Sequence, residues 1–251
     1  MFKYFFYHNS MLPKGLIGFK MYDRIHLTWL VCLFITGFLT VIYYKKLSSK
    51  RQLRFRRIMA SVMVLLEIVK DLIIASTGHF SVEYLPFHLC GIGIILAFVH
   101  AYWPNQLWAE IGYALCLPGA LSALLFPNWT EYPLMNFMHM HSFVIHALIM
   151  LYPILLLAGR EYRPDYHYYP KVLKFIGLAA VPLYIFNKIF TTNFLFINWP
   201  SPGSPLMIFA DWLGNPGYLL PYVILLFAVL ALMYSPFYLK DKVLISKMKA
   251  S

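Results

Sequence analysis

The chain has 251 residues, of which 61% are hydrophobic and only 12% are charged. This balance lies outside the range of soluble globular domains and is typical of a protein whose solvent is lipid. The formal net charge is +11, but no segment is long enough for a soluble domain with a basic face, so nucleic acid is not an expected partner. The charge instead predicts membrane topology and contact with lipid headgroups.

Residues 1–25 are basic and aromatic, with short apolar runs and no small-residue cleavage site. They are therefore not typical of a cleaved signal peptide. We expect an interfacial arm packed at the membrane surface.

Seven nearly uncharged runs follow, each of roughly 17 to 25 residues, the length that crosses a bilayer as a helix. The runs cover approximately residues 26–43, 58–76, 85–103, 107–125, 137–158, 172–190 and 218–238. Unpaired backbone groups cannot face lipid, and no segment alternates with the period of a barrel strand. The sequence thus predicts an all-α fold, a seven-helix transmembrane bundle over residues 26–238, followed by a basic cytoplasmic tail over 239–251.

Lysine and arginine are concentrated in connections that would lie on the same side of a seven-helix bundle. Seven lie in residues 44–57, four in residues 159–174 and four in the tail, whereas the other connections carry almost none. The positive-inside rule places the basic connections in the cytoplasm, so we expect an N-out, C-in, multi-pass protein of the cell membrane. The basic residues of the arm oppose this orientation but are outnumbered by those that follow the first span.

Ionisable and polar side chains within the predicted spans carry the functional signal. An ionisable group costs on the order of 2.5 to 3.5 kcal/mol at the centre of a membrane helix, so we expect each one to have a structural or functional role. They are Glu67, Lys70 and Asp71 in the second span, His88 and Cys90 in the third, His139, His141 and His146 in the fifth, and Asn187 and Lys188 in the sixth. Under the predicted topology these sets all lie in the outer half of the membrane, where one pocket can collect them.

Cys90 is the candidate nucleophile of this pocket. A cysteine beside an imidazole can be deprotonated, attack an ester carbonyl and hold the acyl group as a thioester. His146 is the candidate base, with His141 as its rival. Ester groups of phospholipids lie at this depth, just below the headgroups, so membrane phospholipids of the outer leaflet are the predicted partners.

Other polar residues have supporting roles in this hypothesis. Lys70, Asn187 or a backbone N–H would stabilise the oxyanion, and Asp71 or Glu67 would orient the histidine. The supporting set is Asp71, Lys70, Glu67, His88, His139 and Asn187. A metal site is disfavoured because His139 and His141 are two residues apart and point to opposite faces of a helix, and no cofactor is expected.

Each residue also has a structural interpretation. Buried cysteines commonly pack as small apolar residues, and we assign that role to Cys32 and Cys116. The histidines of the fifth span can hydrogen-bond between helices, and Glu67 with Lys70 can form a neutralised pair. The remaining histidines lie at span ends or in connections, where we expect them to be solvated or interfacial. They are His8, His26, His79, His100 and His167.

Five segments carry a resemblance to a known family. They are LPFHLCGIG, ALCLPGALSALLFPNW, NFMHMHSFVIHALIMLYPILLLAG, NKIFTTNFLFINWPSPGSPL and DWLGNPGYLLPY. Over about residues 53 to 237 the chain resembles the YwaF-like bacterial membrane proteins, which group with the transmembrane protein 164 family. The resemblance implies a seven-helix bundle in a bacterial plasma membrane. Its eukaryotic branch implies a cysteine-centred acyltransferase that moves fatty acyl chains between phospholipids.

The resemblance also assigns residues. The family's active cysteine falls on Cys90, and its helix-five histidine falls on His146. Gly91 and Asn128 stand where the family often has acidic residues. A more distant similarity to androgen-induced membrane hydrolases adds ester hydrolysis to the expected reactions.

Two functions therefore remain open at this stage. The first is an integral membrane lipid acyltransferase or ester hydrolase that works through a thioester on Cys90. The alternative is a non-enzymatic transporter, or a lipid- or solute-binding protein, with a polar intramembrane pocket. Prolines in the spans, Pro118, Pro182 and Pro221, would support broken helices in a transporter, but the inverted repeats common in transporters are not seen.

Overall fold

The structure, a computed structural model, describes residues 3–250, with side chains described through residue 243. All regular structure in this range is helical, which confirms the all-α prediction. In chain order the helices are α1 (Arg24–Lys45), α2 (Ser49–Ser76), α3 (Leu89–Tyr102), α4 (Gln106–Leu125), α5 (Phe137–Ala158), α6 (Tyr169–Phe190), α7 (Leu206–Leu213) and α8 (Leu219–Ala250). Residues 1, 2 and 251, at the ends of the predicted arm and tail, lie outside the described residues, as do the side chains of Lys247 and Lys249.

A helix occupies each of the seven predicted spans. Within the described residues, five helical stretches are long and apolar enough to cross a membrane: Arg24–Lys45, Gln106–Leu125, Phe137–Ala158, Tyr166–Phe190 and Leu219–Val243. Helix α3 has only 14 residues, and the apolar half of α2 carries three charged side chains. Seven crossings and the N-out, C-in orientation therefore stay predictions.

Two predicted helix starts differ from the structure by four residues or more. Helix α3 begins at Leu89 rather than at residue 85, because Leu85 and His88 have extended backbones and Pro86 disfavours a helical residue before it. Helix α2 begins at Ser49, nine residues before the predicted span. Most of the basic residues assigned to the first connection therefore lie on the first turns of α2.

Helix α4 contains a π-helical turn over Gly112–Cys116. The N–H of Leu117 bonds to the carbonyl of Gly112, five residues back, and Pro118 has no N–H to return to Ala114. The widened turn is packed among α3, α5 and α8, and Ala114 and Cys116 are buried there.

Helix α5 is the centre of the bundle, with α1, α2, α3 and α4 packed around it. The peripheral helices instead expose large apolar side chains, such as Phe34 on α1 and Leu232 on α8, each 71% exposed. Such faces are stable only against lipid or a partner, because water would disfavour their exposure.

The N-terminal arm lies across the segment that precedes α5. Its regular structure in residues 3–22 is one 3-10 turn, Asn9–Met11. The side-chain amide of Asn136 donates to the carbonyls of Tyr4 and Tyr7, at 2.6 and 2.7 Å. The N–H of Gly18 donates to the carbonyl of Thr130 at 2.9 Å. The arm thus closes the end of the bundle at which α5 begins.

Candidate functional site

Cys90 is the second residue of α3, directly after the non-helical turn that opens the helix. His88 is the N-cap, with an extended backbone. The first N–H groups of a helix have no intrahelical partner and carry a partial positive charge. Cys90 is partly buried and is not in a disulfide, so its sulfur remains available as a nucleophile.

Gly91 allows this turn to be tight. A Cβ at position 91 would lie 2.7 Å from the Cα of Pro86 and 2.9 Å from its carbonyl carbon and oxygen. These are backbone atoms that no rotamer change can move. The backbone of Pro86 therefore packs directly against the first turn of α3 and fixes the position of Cys90.

A charged cluster on α2 faces the start of α3. Lys70 forms an ion pair with Glu67, and its Nζ lies 3.3 Å from Oδ1 of Asp71. The side chains of Lys70 and Glu67 are only 15% and 19% exposed, so bulk water screens this pair weakly. Both groups lie within electrostatic range of Cys90.

His141 lies beside the same cluster. Its Nε2 is 3.5 Å from Oε2 of Glu67 and has no hydrogen-bond geometry with it or with another described group. The imidazole is buried, with the ring of Phe137 at 5.8 Å. Nε2 of His141 therefore lies near the carboxylate of Glu67 but is not hydrogen-bonded to it.

The two ring nitrogens of His146 have different surroundings. Its Nδ1 is 2.7 Å from the carbonyl of Ser142, which can only accept, so Nδ1 carries the proton. The lone pair is then on Nε2, which has no hydrogen-bond partner among the described residues. The imidazole stacks on Trp129, with ring centroids 5.2 Å apart and planes 8° apart. Both His141 and His88 lie within electrostatic range of His146.

His88 is covered by the connection between α6 and α7. Its ring lies 5.1 Å from that of Phe194 and 5.2 Å from that of Phe196. Because His88 precedes the helix, the helical geometry of α3 does not set its direction relative to Cys90. The aromatic rings therefore cover the residue that caps α3.

Two of the predicted supporting residues are bonded elsewhere. His139 accepts from Trp29 Nε1 at 2.8 Å and its Nδ1 pairs with the carbonyl of Tyr132 at 3.1 Å, so it joins α5 to α1. The amide oxygen of Asn187 accepts from Thr192 Oγ1 at 2.8 Å and from the N–H of Phe194 at 2.9 Å. Asn187 therefore orders the connection after α6, and its hydrogen bonds do not reach α3.

Three histidines that we expected to be solvated or interfacial are buried: His8, His26 and His100. His26 Nδ1 accepts from the N–H of Tyr22, and its Nε2 pairs with the carbonyl of Leu124, both at 2.8 Å. His100 Nδ1 pairs with the hydroxyl of Tyr152 at 2.9 Å. Burial and the adjacent His79 lower the pKa of His8. The expectation was wrong for these three because connections and neighbouring helices cover the span ends.

A second polar cluster was missed by the sequence analysis. Glu110, fully buried in α4, accepts from Gln106 Nε2 at 2.7 Å, from the N–H of Asp165 at 2.8 Å and from the hydroxyl of Tyr234 at 2.8 Å. These bonds join α4, the connection before α6, and α8. The available signal was an isolated glutamate in a long apolar run.

Arg56 belongs to the same end of the bundle. It pairs with Glu161 at 2.6 Å, and its side chain is 7% exposed. The sequence analysis counts Arg56 only as a topology signal. Its burial on a basic helix face, between two half-buried positions, could not be inferred from charge counting.

The structure brings most of the predicted site residues together. Lys70 pairs with Glu67 and Asp71, His141 lies beside Glu67, and Cys90, His88 and His146 lie within electrostatic range of that cluster. Within the described side chains, residues 3–243, no three His, Cys, Asp or Glu side chains are grouped closely enough to hold a metal ion. A thiol at a helix N-terminus, an imidazole with a free Nε2 and a buried cation can together support acyl transfer.

Comparison with known proteins gives one match. The sequence model of the TMEM164 family covers residues 21–234 of the chain, a range that includes every candidate site residue. No curated protein and no solved structure matches the chain. The family match and the long apolar helices identify a multi-pass membrane protein.

Proposed function

Since the chain belongs to the TMEM164 family, we propose that it is an integral membrane acyltransferase or ester hydrolase that acts on phospholipid esters through a thioester on Cys90. The observation that carries the proposal is the position of Cys90 at the N-terminus of α3, within electrostatic range of Glu67 and Lys70 in the charged cluster of α2. The resemblance of the LPFHLCGIG segment supports the same nucleophile.

The first half-reaction is acyl transfer to the enzyme. The sulfur of Cys90 attacks the ester carbonyl, and Nε2 of His146 takes the thiol proton, with His141 as the rival base. The unpaired N–H groups at the start of α3, or Lys70, stabilise the oxyanion. Collapse of the intermediate breaks the bond to the alcohol oxygen, which leaves with the proton as a lysophospholipid.

The second half-reaction regenerates the thiol. A hydroxyl group attacks the thioester, and the same histidine takes its proton and returns it to the leaving sulfur. If the hydroxyl belongs to another lysolipid, the product is a remodelled phospholipid. If it belongs to water, the product is a free fatty acid. Under the predicted topology the site opens to the outer leaflet of the cell membrane.

The test is the intact mass of the full chain after reconstitution with phosphatidylcholine and phosphatidylethanolamine. We expect the wild type to gain the mass of one acyl chain, which hydroxylamine removes, and Cys90→Ala to gain none. Cys32→Ala is the matched control, because Cys32 is exposed on α1, and it should behave as the wild type. The absence of an adduct and of lysolipid from folded wild-type protein would overturn the proposal.

The charged cluster of α2 also favours a second candidate function. A transporter, or a lipid- or solute-binding protein, would use Lys70, Glu67 and His141 to bind the polar part of its ligand. Such a protein would keep its activity in Cys90→Ala and lose it in Lys70→Met. The acyltransferase would show the opposite order of sensitivity, with the larger loss in Cys90→Ala.

A further inference from the structure

A groove of about 490 Å³ runs along the exposed side of α2 and the end of α3. Its walls are basic at one end and apolar at the other. Lys50, Arg54 and Arg57 form the basic end, and Ile58, Val62 and Leu65 form the apolar end. This groove lies on the half of α2 that precedes the charged cluster near Cys90, and the proposed acyl transfer does not use it.

The groove follows one face of a single helix. Lys50, Arg54 and Arg57 are separated by four and three residues, and Ile58, Val62 and Leu65 repeat the same spacing. At 1.5 Å per residue the groove extends along roughly 22 Å of α2. Along this face, charged side chains therefore come first and apolar side chains follow. This order matches a ligand with a charged head and an apolar tail.

Arg57 is held in place at the point where the basic and apolar ends meet. Its Nε donates to the carbonyl of Ala101 at 3.3 Å, and its guanidinium lies 5.1 Å from the ring centroid of Tyr102. The hydroxyl of Tyr102 is in turn 3.0 Å from Oγ of Ser61. The guanidinium thus has a fixed orientation before any ligand binds.

The charges of the groove are not neutralised by the protein. Within the part of the chain whose side chains are described, no carboxylate forms an ion pair with Lys50, Arg54 or Arg57, although the intervening Arg56 is paired with Glu161. The lining contains no acidic residue. Arg54 is exposed and Arg57 is half-buried. The protein has therefore already displaced part of the water around Arg57 before an anion binds.

We propose that this groove binds one anionic phospholipid, with its phosphate on Arg54 and Arg57 and an acyl chain along Ile58, Val62 and Leu65. The charge complementarity favours a headgroup with net negative charge over a zwitterionic one. The apolar end favours a lipid over a soluble phosphate. The positive-inside rule assigns this end of α2 to the cytoplasmic leaflet, the leaflet rich in anionic lipids.

Native mass spectrometry of the full chain in detergent, titrated with palmitoyl-oleoyl phosphatidylglycerol or with phosphatidylcholine of the same chains, tests the proposal. We expect the wild type to bind one phosphatidylglycerol more tightly than phosphatidylcholine. Arg54→Gln/Arg57→Gln should weaken phosphatidylglycerol binding by roughly tenfold or more, since each basic residue near the surface contributes severalfold to anionic lipid affinity. Phosphatidylcholine binding should not change.

The matched control is Lys46→Gln/Arg51→Gln, which removes the same charge from exposed positions outside the groove. It should bind phosphatidylglycerol as the wild type does. An equal loss in both double variants, or equal wild-type affinity for the two lipids, would overturn the proposal. Displacement of the lipid by glycerol 3-phosphate at equal concentration would overturn it in favour of a soluble anion. If Arg54→Gln/Arg57→Gln does not fold, Lys50→Gln/Arg54→Gln replaces it, because that pair keeps the bond from Arg57 to Ala101.

Discussion

At the scale of single residues, two histidines of α5 show how neighbouring imidazoles acquire different roles. His139 has both ring nitrogens in hydrogen bonds, to Trp29 and Tyr132, and no exposed surface. His146 has one nitrogen bonded to the carbonyl of its own helix and the other free of a partner in the described residues. An imidazole with two structural bonds cannot exchange a proton without breaking one, so of these two histidines only His146 fits the proposed role of base.

Substitution of each histidine should therefore change a different quantity. His146→Ala should slow formation of the Cys90 adduct by about 100-fold or more, the usual contribution of a general base, with little change in thermal unfolding. His139→Ala should lower the free energy of unfolding by about 1 to 3 kcal/mol, because the N–H of Trp29 loses its acceptor. Adduct kinetics and thermal unfolding in the same detergent measure both effects. A faster loss of activity in folded His139→Ala than in His146→Ala would contradict the assignment.

Asp23 caps the start of α1, and we expect its contribution to the stability of the protein to depend on pH. Burial alone would raise the pKa of this carboxyl, but backbone N–H bonds from His26 and Lys20, at 2.9 and 2.8 Å, outweigh it and hold the pKa below its ordinary value. A lowered carboxyl pKa adds stability above the unfolded-state pKa, and that stability is lost as the pH falls through the folded-state pKa.

We therefore expect the stability difference between wild type and Asp23→Ala, about 1 kcal/mol near neutral pH, to shrink as the pH falls below about 4. Thermal unfolding of both proteins across this range measures it. Asp23→Asn is the control, because an amide caps the helix without titrating. If the stability difference between wild type and Asp23→Ala does not change with pH, the carboxylate charge does not stabilise the cap.

At the scale of elements, the turn before α3 depends on Gly91. Gly91→Ala should lower the free energy of unfolding by about 1 to 3 kcal/mol, because the new methyl group would meet the backbone of Pro86. It should also slow adduct formation, since relief of the clash displaces Cys90. Gly177→Ala is the matched control, because that helical glycine of α6 has no heavy atom within 4 Å of a Cβ, and it should be neutral or stabilising by up to about 1 kcal/mol. Equal stability and activity of the two variants would refute the packing role of Gly91.

The elements themselves were predictable to different degrees. Apolar run length was enough to place α5 over residues 137–158, because both of its ends coincide with a change in polarity. It was not enough for α3, whose first predicted residues are apolar but whose backbone is extended by Pro86. Run length also missed the early start of α2, because a helix can continue beyond the hydrocarbon when its face packs on other parts of the protein, as Arg56 does on Glu161.

The candidate site was predictable as a set of unusual residues but not as a set of contacts. The cost of burying charge singled out Glu67, Lys70 and Asp71, and their helical spacing predicted an ion pair. The same reasoning selected His139 and Asn187, but these residues bond to Trp29 and Phe194. Neither partner is a residue type that a catalytic pattern would single out. Such bonds depend on which helix faces pack together, and a single sequence does not encode that in its hydropathy.

At the scale of the whole molecule, the polar groups divide into two ends of the bundle. One end contains Cys90 and the charged cluster of α2, whereas the other contains Glu110 and the Arg56–Glu161 pair. The groove on α2 belongs to the second end. A protein that binds an anionic lipid at one end and acts on lipid esters at the other would contact both leaflets, and this arrangement requires that α2 and α3 each cross the membrane.

Helix length bears on these crossings. The 14 residues of α3 rise about 21 Å, less than a hydrocarbon core of about 30 Å, so a crossing by α3 requires the bilayer to thin around it. In α2 the pairing of Lys70 with Glu67 reduces the cost of charge near its outer end. Helix α7 rises only about 12 Å, which is too short to cross the membrane, so it does not change whether the number of crossings is odd or even. With the predicted seven crossings, both the α1–α2 connection and the basic end of α8 would lie in the cytoplasm.

Labelling of single cysteines in intact cells tests this topology. In a chain whose own cysteines are replaced by alanine, Ser81→Cys should react with a membrane-impermeant maleimide from outside, because residue 81 is exposed between α2 and α3. Lys46→Cys and Lys240→Cys, both at exposed positions, should react only after permeabilisation. Reaction of residues 46 and 81 from the same side would mean that α2 does not cross, and the bundle would then have fewer than seven spans. Reaction of residues 46 and 240 but not 81 from outside would mean that the chain is inverted, with the basic residues of α2 facing outward against the positive-inside rule.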